Sequence, residues 1–343
     1  MQLAPIILFP LFGSSLLGLI SLISSRRKKQ VSVALSGTIA SAMMCFSFLF
    51  SVIGFFHIYG KAPIDETLFN WIATPSLKID FKLHFDALSS LFCLVITGVG
   101  ALIHVYSIGY MAHDKTPARY FTYLNLFCVM MLILVLGSSL PLVFLGWEGV
   151  GLCSYLLIGY WHADANKVSA GRKAFVMNRI GDVGFMLGAF LAFKIFGTFE
   201  LQSIQQSAHG IEASWSITAL GLLLFLACTG KSAQFPLFTW LPDAMAGPTP
   251  VSALIHAATM VTSGIYLLAR LSNVVEASNI TMLVIAYVGI ATSLLAAFAA
   301  IGQNDIKKVL AYSTVSQLGL MFVACGVSHF DAAVFHVITH AFF

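Results

Sequence analysis

Apolar runs of membrane-spanning length recur along almost the whole sequence. They begin near residues 3, 31, 86, 120, 140, 174, 215, 251, 280 and 308, and another starts near 331 and is cut by the end of the chain. A bilayer core is crossed by roughly 20 apolar residues, and within it only helices and closed barrels satisfy their backbone polar groups. Runs this long exclude strands of a barrel. The expected fold is therefore all-α and polytopic, with about eleven transmembrane helices. Composition agrees: 59% of the 343 residues are hydrophobic and 9% are charged, against about 25% charged in ordinary soluble domains.

One connection reads differently. Residues 60–84, "GKAPIDETLFNWIATPSLKIDFKLH", are polar, and the tail "LKIDFKLHF" alternates apolar with polar residues. That period of two predicts a short hairpin outside the membrane.

Charge placement sets an orientation. Threading the runs alternately puts Arg26, Arg27, Lys28, Lys29, Lys115, Arg119, Lys167, Arg172, Lys173, Lys307 and Lys308 on one side. The other side holds Lys61, Lys78, Lys82, Lys194 and Arg270, together with Asp65, Glu66, Asp80, Glu200, Glu212 and Glu276. Cytoplasmic loops carry the excess of Lys and Arg, so the first set is expected in the cytoplasm and the N-terminus outside. The net charge of +4 is accounted for by these loops, and no nucleic-acid partner is implied. The first apolar run precedes its basic cluster instead of following one, which predicts a span and not a cleaved signal peptide.

Two basic residues, Arg179 and Lys231, are left inside the membrane by this threading. A charge at mid-bilayer costs on the order of 3 kcal/mol, so each needs a partner, a wet cavity or a function. In "ACTGKSAQFPLFTWLPDAMAGPTP" Lys231 ends a long apolar run, and Pro236, Pro242, Pro248 and Pro250 follow. Those prolines predict a broken seventh helix. Unwound backbone at membrane depth is tolerated where it lines protein or a water-filled cavity, so the break and the lysine together point to an ion path. A kinked structural helix with a snorkelling lysine is the alternative.

Glu148 lies mid-span in "LPLVFLGWEGVGLCSYLLIGYW", with Gly146, Gly149 and Gly151 leaving room for close helices and water. Arg179 and Asp182 are three apart and share a helical face. Arginine stays protonated and can tune a neighbour but not relay, whereas a carboxylate can do both. A burial-driven preference for the neutral lysine is opposed by a nearby carboxylate, so a movable carboxylate makes Lys231 a proton switch. His256 stands amid Ser252, Thr259, Thr262 and Ser263, a lining that favours relay over a plain core histidine. His336 and His340 share a face, but Val337 breaks the HExxH pattern, so zinc is not expected and both read as titratable groups. Lys307 reads either as an interface charge or as part of the same axis.

The six cysteines (Cys45, Cys93, Cys128, Cys153, Cys228 and Cys325) stand singly in apolar segments with no CxxC or Cys/His cluster, which predicts no metal or iron–sulfur site. No phosphate-binding glycine loop or nucleophile elbow occurs.

"WEGVGLCSYLLIG", "NRIGD", "GKSAQFPLFTWLPDAMAGPTPVSALIHAATMV", "DIKKVLAYSTVSQLG" and "HVITHAFF" resemble the antiporter-like membrane subunits of respiratory complex I, the NADH:quinone oxidoreductase, over essentially the whole chain. The resemblance implies two inverted five-helix units, each with a broken helix. It divides the chain into N-terminal helices 1–117, a first unit 118–271 and the start of a second from 280 to 343. It implies that Glu148 and Lys231 pair in the channel, that Asp182 and Arg179 tune them, and that His256, Lys307, His336 and His340 continue a polar axis. It implies proton translocation coupled to quinone reduction elsewhere, with no cofactor on this chain and FMN, iron–sulfur clusters and quinone on the complex as a whole. The implied partners are the lipid bilayer and the other membrane subunits, above all the neighbouring antiporter-like one, in the cytoplasmic (inner) membrane. Family members continue past the position of Phe343, so the chain is expected to be C-terminally truncated and its last run of about thirteen residues too short to span. The alternative of the same class is a subunit of a multisubunit sodium/proton antiporter. A purely structural scaffold is disfavoured by Glu148 and Lys231.

Overall fold

The computed structural model describes residues 2–27, 31–75 and 77–342, with backbone alone for Ala257 and Ala258. Lys28 and Lys29 of the basic cluster, and Phe343, lie outside the described residues. Two long helices come first, α1 (Ala4–Arg27) and α2 (Val33–Ile58), then strands β1 (Ile64–Ala73) and β2 (Lys78–Phe85). Helices α3 (Ala87–Tyr110), α4 (Pro117–Leu136), α5 (Leu140–Ile158), α6 (Ala165–Phe196), a short α7 (Leu201–Ala208) and α8 (Trp215–Lys231) follow.

Regular structure then stops. After a turn region come one turn of helix, α9 (Trp240–Asp243), and the segment Thr249–Arg270. That segment opens as α10 (Thr249–Ala253), widens into a π turn at Leu254–Ala258, tightens at Met260–Thr262 and closes as α11 (Ser263–Arg270). Helices α12 (Ser272–Glu276), α13 (Asn279–Ile301), α14 (Ile306–Gly326) and α15 (Phe330–Phe342) complete the described chain.

Among the described residues eight helices are long and apolar enough to cross a membrane: α1–α5, the segment Thr249–Arg270, α13 and α14. α8 and α15 are apolar but shorter. α6 is the longest, and it carries Arg179 and Asp182 in its middle. The protein is thus a multi-pass helical membrane protein.

The Thr249–Arg270 segment lies deepest in the bundle, followed by α4, which packs against α1, α2, α3 and α5. α13 lies at its edge, with Tyr287, Leu294 and Phe298 outward. Apolar exposure of this kind suits lipid or a neighbouring subunit, where a water-soluble protein would bury it. α13 is held to α14 by bare backbone: a Cβ on Gly289 would meet the Gly319 carbonyl oxygen at 2.7 Å. Such close approach is the membrane's substitute for a hydrophobic driving force between helices.

β1 and β2 pair antiparallel, with Asp65 opposite His84 and two register shifts that bend the ribbon. Leu83 and Phe85 turn into the core. Beyond them the edge of β2 meets the α4–α5 connection, where the Ser138 amide donates to the Lys82 carbonyl at 3.1 Å. That connection in turn bridges to Glu200 through Ser139. The Glu66 carboxylate accepts the amides of Leu3 and Ala4 at the start of α1, where a negative charge complements the helix dipole. The hairpin therefore gathers the start of α1, the α4–α5 turn and the α6–α7 turn at one end of the bundle.

Candidate functional site

Three helices deliver four charges to one place. α5 contributes Trp147, Glu148 and Gly151, α6 contributes Arg179 and Asp182, and α8 ends on Lys231. α6 and α8 cross where glycine faces glycine: a Cβ on Gly181 would lie 3.0 Å from the Gly230 Cα, and one on Gly230 would lie 3.1 Å from the Gly181 Cα. The next residue on each helix is Asp182 and Lys231, so the crossing itself brings these two side chains together.

Lys231 Nζ lies 3.4 Å from Asp182 Oδ1, and the side chain is fully buried. The same Oδ1 accepts the Trp147 indole N–H at 2.9 Å. The contact to lysine is an ion pair without hydrogen-bond geometry, so Nζ keeps its donors free. On its other flank Nζ occupies the space a side chain at Gly151 would fill, 2.7 Å from that Cβ position. Arg179 Nη1 makes a close ion pair with Glu148 Oε2 and lies 3.9 Å from Asp182 Oδ2, while its guanidinium stacks on Phe175. Among the described residues no ion pair links Glu148 to Lys231.

All four charges expected to meet do meet, but the partners are exchanged. Arginine takes Glu148 and lysine takes Asp182. The cause is the glycine crossing, which places residue 182 beside residue 231, and the Trp147 hydrogen bond, which holds the Asp182 carboxylate there. Two carboxylates and two cations sum to zero, which makes the cluster tolerable in a low-dielectric setting.

The break after Lys231 is built from named substitutes for lost helix bonds. Ala233 adopts a positive φ of 49°, which no continuing helix allows, and Pro236 follows without an N–H to donate. The Gly230 carbonyl accepts the Trp240 indole at 3.1 Å, and the Ser232 carbonyl accepts the Gln234 amide side chain at 2.9 Å. From α13, Thr292 Oγ1 accepts the Phe235 N–H at 2.9 Å. Farther on, Lys307 Nζ donates to the carbonyls of Met245 and Gly247 at 2.7 and 3.1 Å, closing the far end of the broken segment. Lys307 is therefore tied to the broken helix and not to the four-charge cluster.

His256 sits on the π turn, 6.0 Å ring to ring from Trp240, and neither of its ring nitrogens has a protein partner. Trp240 thus touches both the residue before Lys231 and His256. The π turn packs against α15, on which His336 and His340 face each other at 6.3 Å. Lys231 Nζ, Ser232 Oγ, Gln234 Oε1, Ser252 Oγ and both His256 nitrogens are buried polar atoms left without a protein hydrogen bond. Buried polar atoms in native proteins are satisfied, if not by protein then by water. Such atoms also occur elsewhere among the described residues, as at His104 and Asn125, but those of Lys231–His256 border the broken helix.

Sequence reasoning missed Trp147, Trp240 and Gln234. The available signal was that a tryptophan in an apolar span must place its N–H on an acceptor, and charged neighbours or freed carbonyls are the acceptors at hand. Among the described residues no group of three or more His, Cys, Asp or Glu side chains is placed to hold a metal. All six cysteines are free thiols.

Residues 137–343, well over half of the chain, match the family model described as "NADH:quinone oxidoreductase/Mrp antiporter, TM". The chain belongs to that family. Residues 71–121, from the hairpin into α4, match a second model, the N-terminus of NADH-ubiquinone oxidoreductase (complex I) chain 5. Within the family, NADH-quinone oxidoreductase subunit L of Rickettsia bellii is 42% identical over 98% of this chain and 53% of its own length. Subunit L of Pseudomonas aeruginosa is 44% identical over 100% of this chain and 56% of its own. The chain spans about half the length of these curated relatives. A chain of the Mrp complex from Dietzia sp. DQ12-45-1b superposes with a TM-score of 0.86 at 30% identity, covering 99% of this chain and 36% of that one. An archaeal membrane-bound sulfane sulfur reductase chain, 24% identical, shares the fold at a TM-score of 0.83 over 99% of this chain and 68% of its own.

Proposed function

We propose that this chain is the proton-conducting, antiporter-like part of a subunit L-type membrane subunit of NADH:quinone oxidoreductase. The observation that carries this reading is the charge-balanced cluster Glu148–Arg179–Asp182–Lys231 at a broken helix, with Asp182 and Lys231 buried, in a member of this family. Redox chemistry belongs to other subunits, which hold FMN, iron–sulfur clusters and quinone. The partners are the remaining membrane subunits, with the adjacent antiporter-like subunit beside this one. Residues 118–271 form the first antiporter-like unit, 1–117 precede it, and 280–343 open the second.

The mechanism follows from who holds which charge. Lys231 carries the proton. Arg179 cannot release its own and stands between Glu148 and Asp182. When arginine is on Glu148, Asp182 is left to balance the lysine; when arginine moves to Asp182, that balance is withdrawn. A carboxylate nearby favours the ammonium and its withdrawal favours the neutral amine, so the arginine position decides whether Lys231 keeps its proton. Released protons pass along the orphaned polar atoms toward His256, then to His340 and His336. Lys307 holds the broken segment in shape.

Glu148→Gln removes the anchor that keeps Arg179 away from Asp182. In the assembled complex carrying the full-length chain, protons moved per quinone reduced are expected to fall at least roughly fivefold. A complex that pumps normally with Glu148→Gln refutes the reading. The sodium/proton alternative draws on the Dietzia likeness, and sodium-dependent, quinone-independent exchange in the same preparation would favour it.

We also propose that the N-terminus and hairpin lie on the outer, non-cytoplasmic side of the membrane and the Lys167 loop in the cytoplasm, the membrane being the inner (cytoplasmic) one. A cysteine replacing Glu66 is then labelled by an impermeant reagent from outside and one replacing Lys167 from the cytoplasm. The reverse pattern overturns the orientation.

A further inference from the structure

A second set of charges lies at the hairpin end, outside the proton path. Asp86 caps α3, its carboxylate accepting the Ser89 amide at 2.9 Å. The same carboxylate takes both arms of the Arg270 guanidinium, Nη2 reaching Oδ1 at 3.0 Å. Nε and Nη2 of Arg270 also donate to Tyr266 Oη at 3.1 and 3.0 Å, and that hydroxyl donates to the Val135 carbonyl at 2.7 Å. The end of the Thr249–Arg270 segment is thereby fixed to the start of α3 and the end of α4.

The other end of that segment is tied to the same helix. The Tyr110 hydroxyl, on the last residue of α3, lies 3.3 Å from Thr249 Oγ1 and 3.4 Å from the Thr249 amide. So α3, an uninterrupted helix of about 36 Å, is bonded at its two ends to the two ends of a segment that is irregular in the middle. The irregular middle is the π turn with His256, followed by Thr259 at φ −136° and ψ −89°. A regular helix keeps its own length, whereas one with a π turn and a non-helical residue can shift register unless its ends are held.

His84 ties this arrangement to the hairpin. Its Nδ1 lies 2.6 Å from Asp65 Oδ1 and its Nε2 lies 3.4 Å from Asp86 Oδ2. A ring with a carboxylate on each nitrogen is satisfied as the imidazolium, with both nitrogens donating. The other charges around it are Lys82 on β2, 3.1 Å from Asp65, Arg270 on α11, and Glu200 on the α6–α7 turn. These line a cavity of about 290 Å³ with His84 and Asp86, which gives the ring access to protons of the medium.

We propose that α3 is a strut that fixes the length and register of the His256-bearing segment, with the Asp86–Arg270 pair as its clamp and His84 as the titratable lock on that clamp. The role of the segment in proton movement rests on the function proposed above; the clamp does not.

The sign of the pH response follows from the neighbours. The Asp86 carboxylate, 3.4 Å from Nε2, outweighs burial and, aided by Asp65, raises His84 above its ordinary 6.5. Its contribution is complete below 6.5 and is lost as the pH rises through the higher value in the folded protein. Burial is the largest single influence on Asp65 and Asp86 and works to raise both, but His84 together with Lys82 at Asp65, and His84 together with Arg270 and the Ser89 amide at Asp86, outweighs it. Both are held below their ordinary 3.8. Their contribution is complete above 3.8 and fails only in strong acid. The clamp is therefore tightest in mild acid and loosens in alkali.

The test is hydrogen exchange of segments 64–85 and 259–270 in the assembled complex, corrected for the chemical exchange rate. In the unaltered complex protection of both is expected to fall at least about threefold between pH 6 and pH 9. His84→Gln is expected to show the low protection at both. Protection of 259–270 that is the same at both pH values in the unaltered complex overturns the proposal without any variant, and so does a fall that persists in His84→Gln. Proton movement measured alongside separates the two readings. If exchange responds as expected while pumping ignores His84→Gln, the clamp stands and the relay role of the His256 segment fails.

Discussion

Lys231→Arg is expected to lower proton movement at least roughly tenfold while the complex still assembles and reduces quinone. The substitution keeps a cation beside Asp182, so a residue serving as fixed charge would tolerate it. A residue that must become neutral in each cycle would not, because the guanidinium stays protonated. Space complicates this test: Nζ lies where a side chain at Gly151 would begin, and a guanidinium is bulkier than an ammonium. Gly151→Ala supplies the control. Its methyl would press only on the far end of a flexible lysine, so it crowds the site without removing the titration, and it should cost far less than Lys231→Arg. Normal pumping by Lys231→Arg would leave the lysine as a fixed charge. Equal losses from both variants would assign the effect to crowding.

Gly146→Ala is expected to have the largest effect on stability. The new Cβ would lie 2.5 Å from the Leu134 nitrogen and 2.7 Å from both the Leu134 Cα and the Met130 carbonyl oxygen. All three are backbone atoms of α4, so the two helices must part. Overpacking of this kind costs about 1–3 kcal/mol, and here it also displaces Trp147 and Glu148, the next two residues. Gly149→Ala is the comparison, because its Cβ would meet first the Met130 Sδ at 2.4 Å, part of a side chain that can turn aside. Thermal melting of the purified complex should rank Gly146→Ala clearly below Gly149→Ala. Equal melting of the two would show that the α4–α5 contact is softer than its geometry implies.

The three glycines around Glu148 illustrate how far sequence reasoning reaches. Their presence in an apolar span announced close helices and open space. Their separate tasks depend on which neighbour each one faces: Gly146 admits the α4 backbone, Gly149 admits Met130, and Gly151 admits the lysine ammonium. Arg270 shows the same limit from the other side. By position it was a loop charge at the end of a span, yet its side chain is 11% exposed and locked onto Asp86, 184 residues earlier.

Local chemistry along one stretch of chain was enough to show a multi-pass helical membrane protein, because length and apolarity are properties of a run by itself, but not to fix the count: eight of the described helices, against about eleven expected, are long and apolar enough to span. It was also enough to single out Arg179 and Lys231 as charges with no place in lipid, and to locate the break at the lysine, because four prolines follow within twenty residues. The tertiary structure alone decided which carboxylate faces which cation. Glu148, Asp182, Arg179 and Lys231 come from three helices, and a pairing between helices is set by where they cross. Gly181 and Gly230 let two backbones touch at one point, and that contact turns an expected Glu148–Lys231 pair into Asp182–Lys231. A direct ion-pair contact needs nitrogen and oxygen within about 4 Å, so a crossing one turn higher on either helix would have chosen different partners from the same sequence.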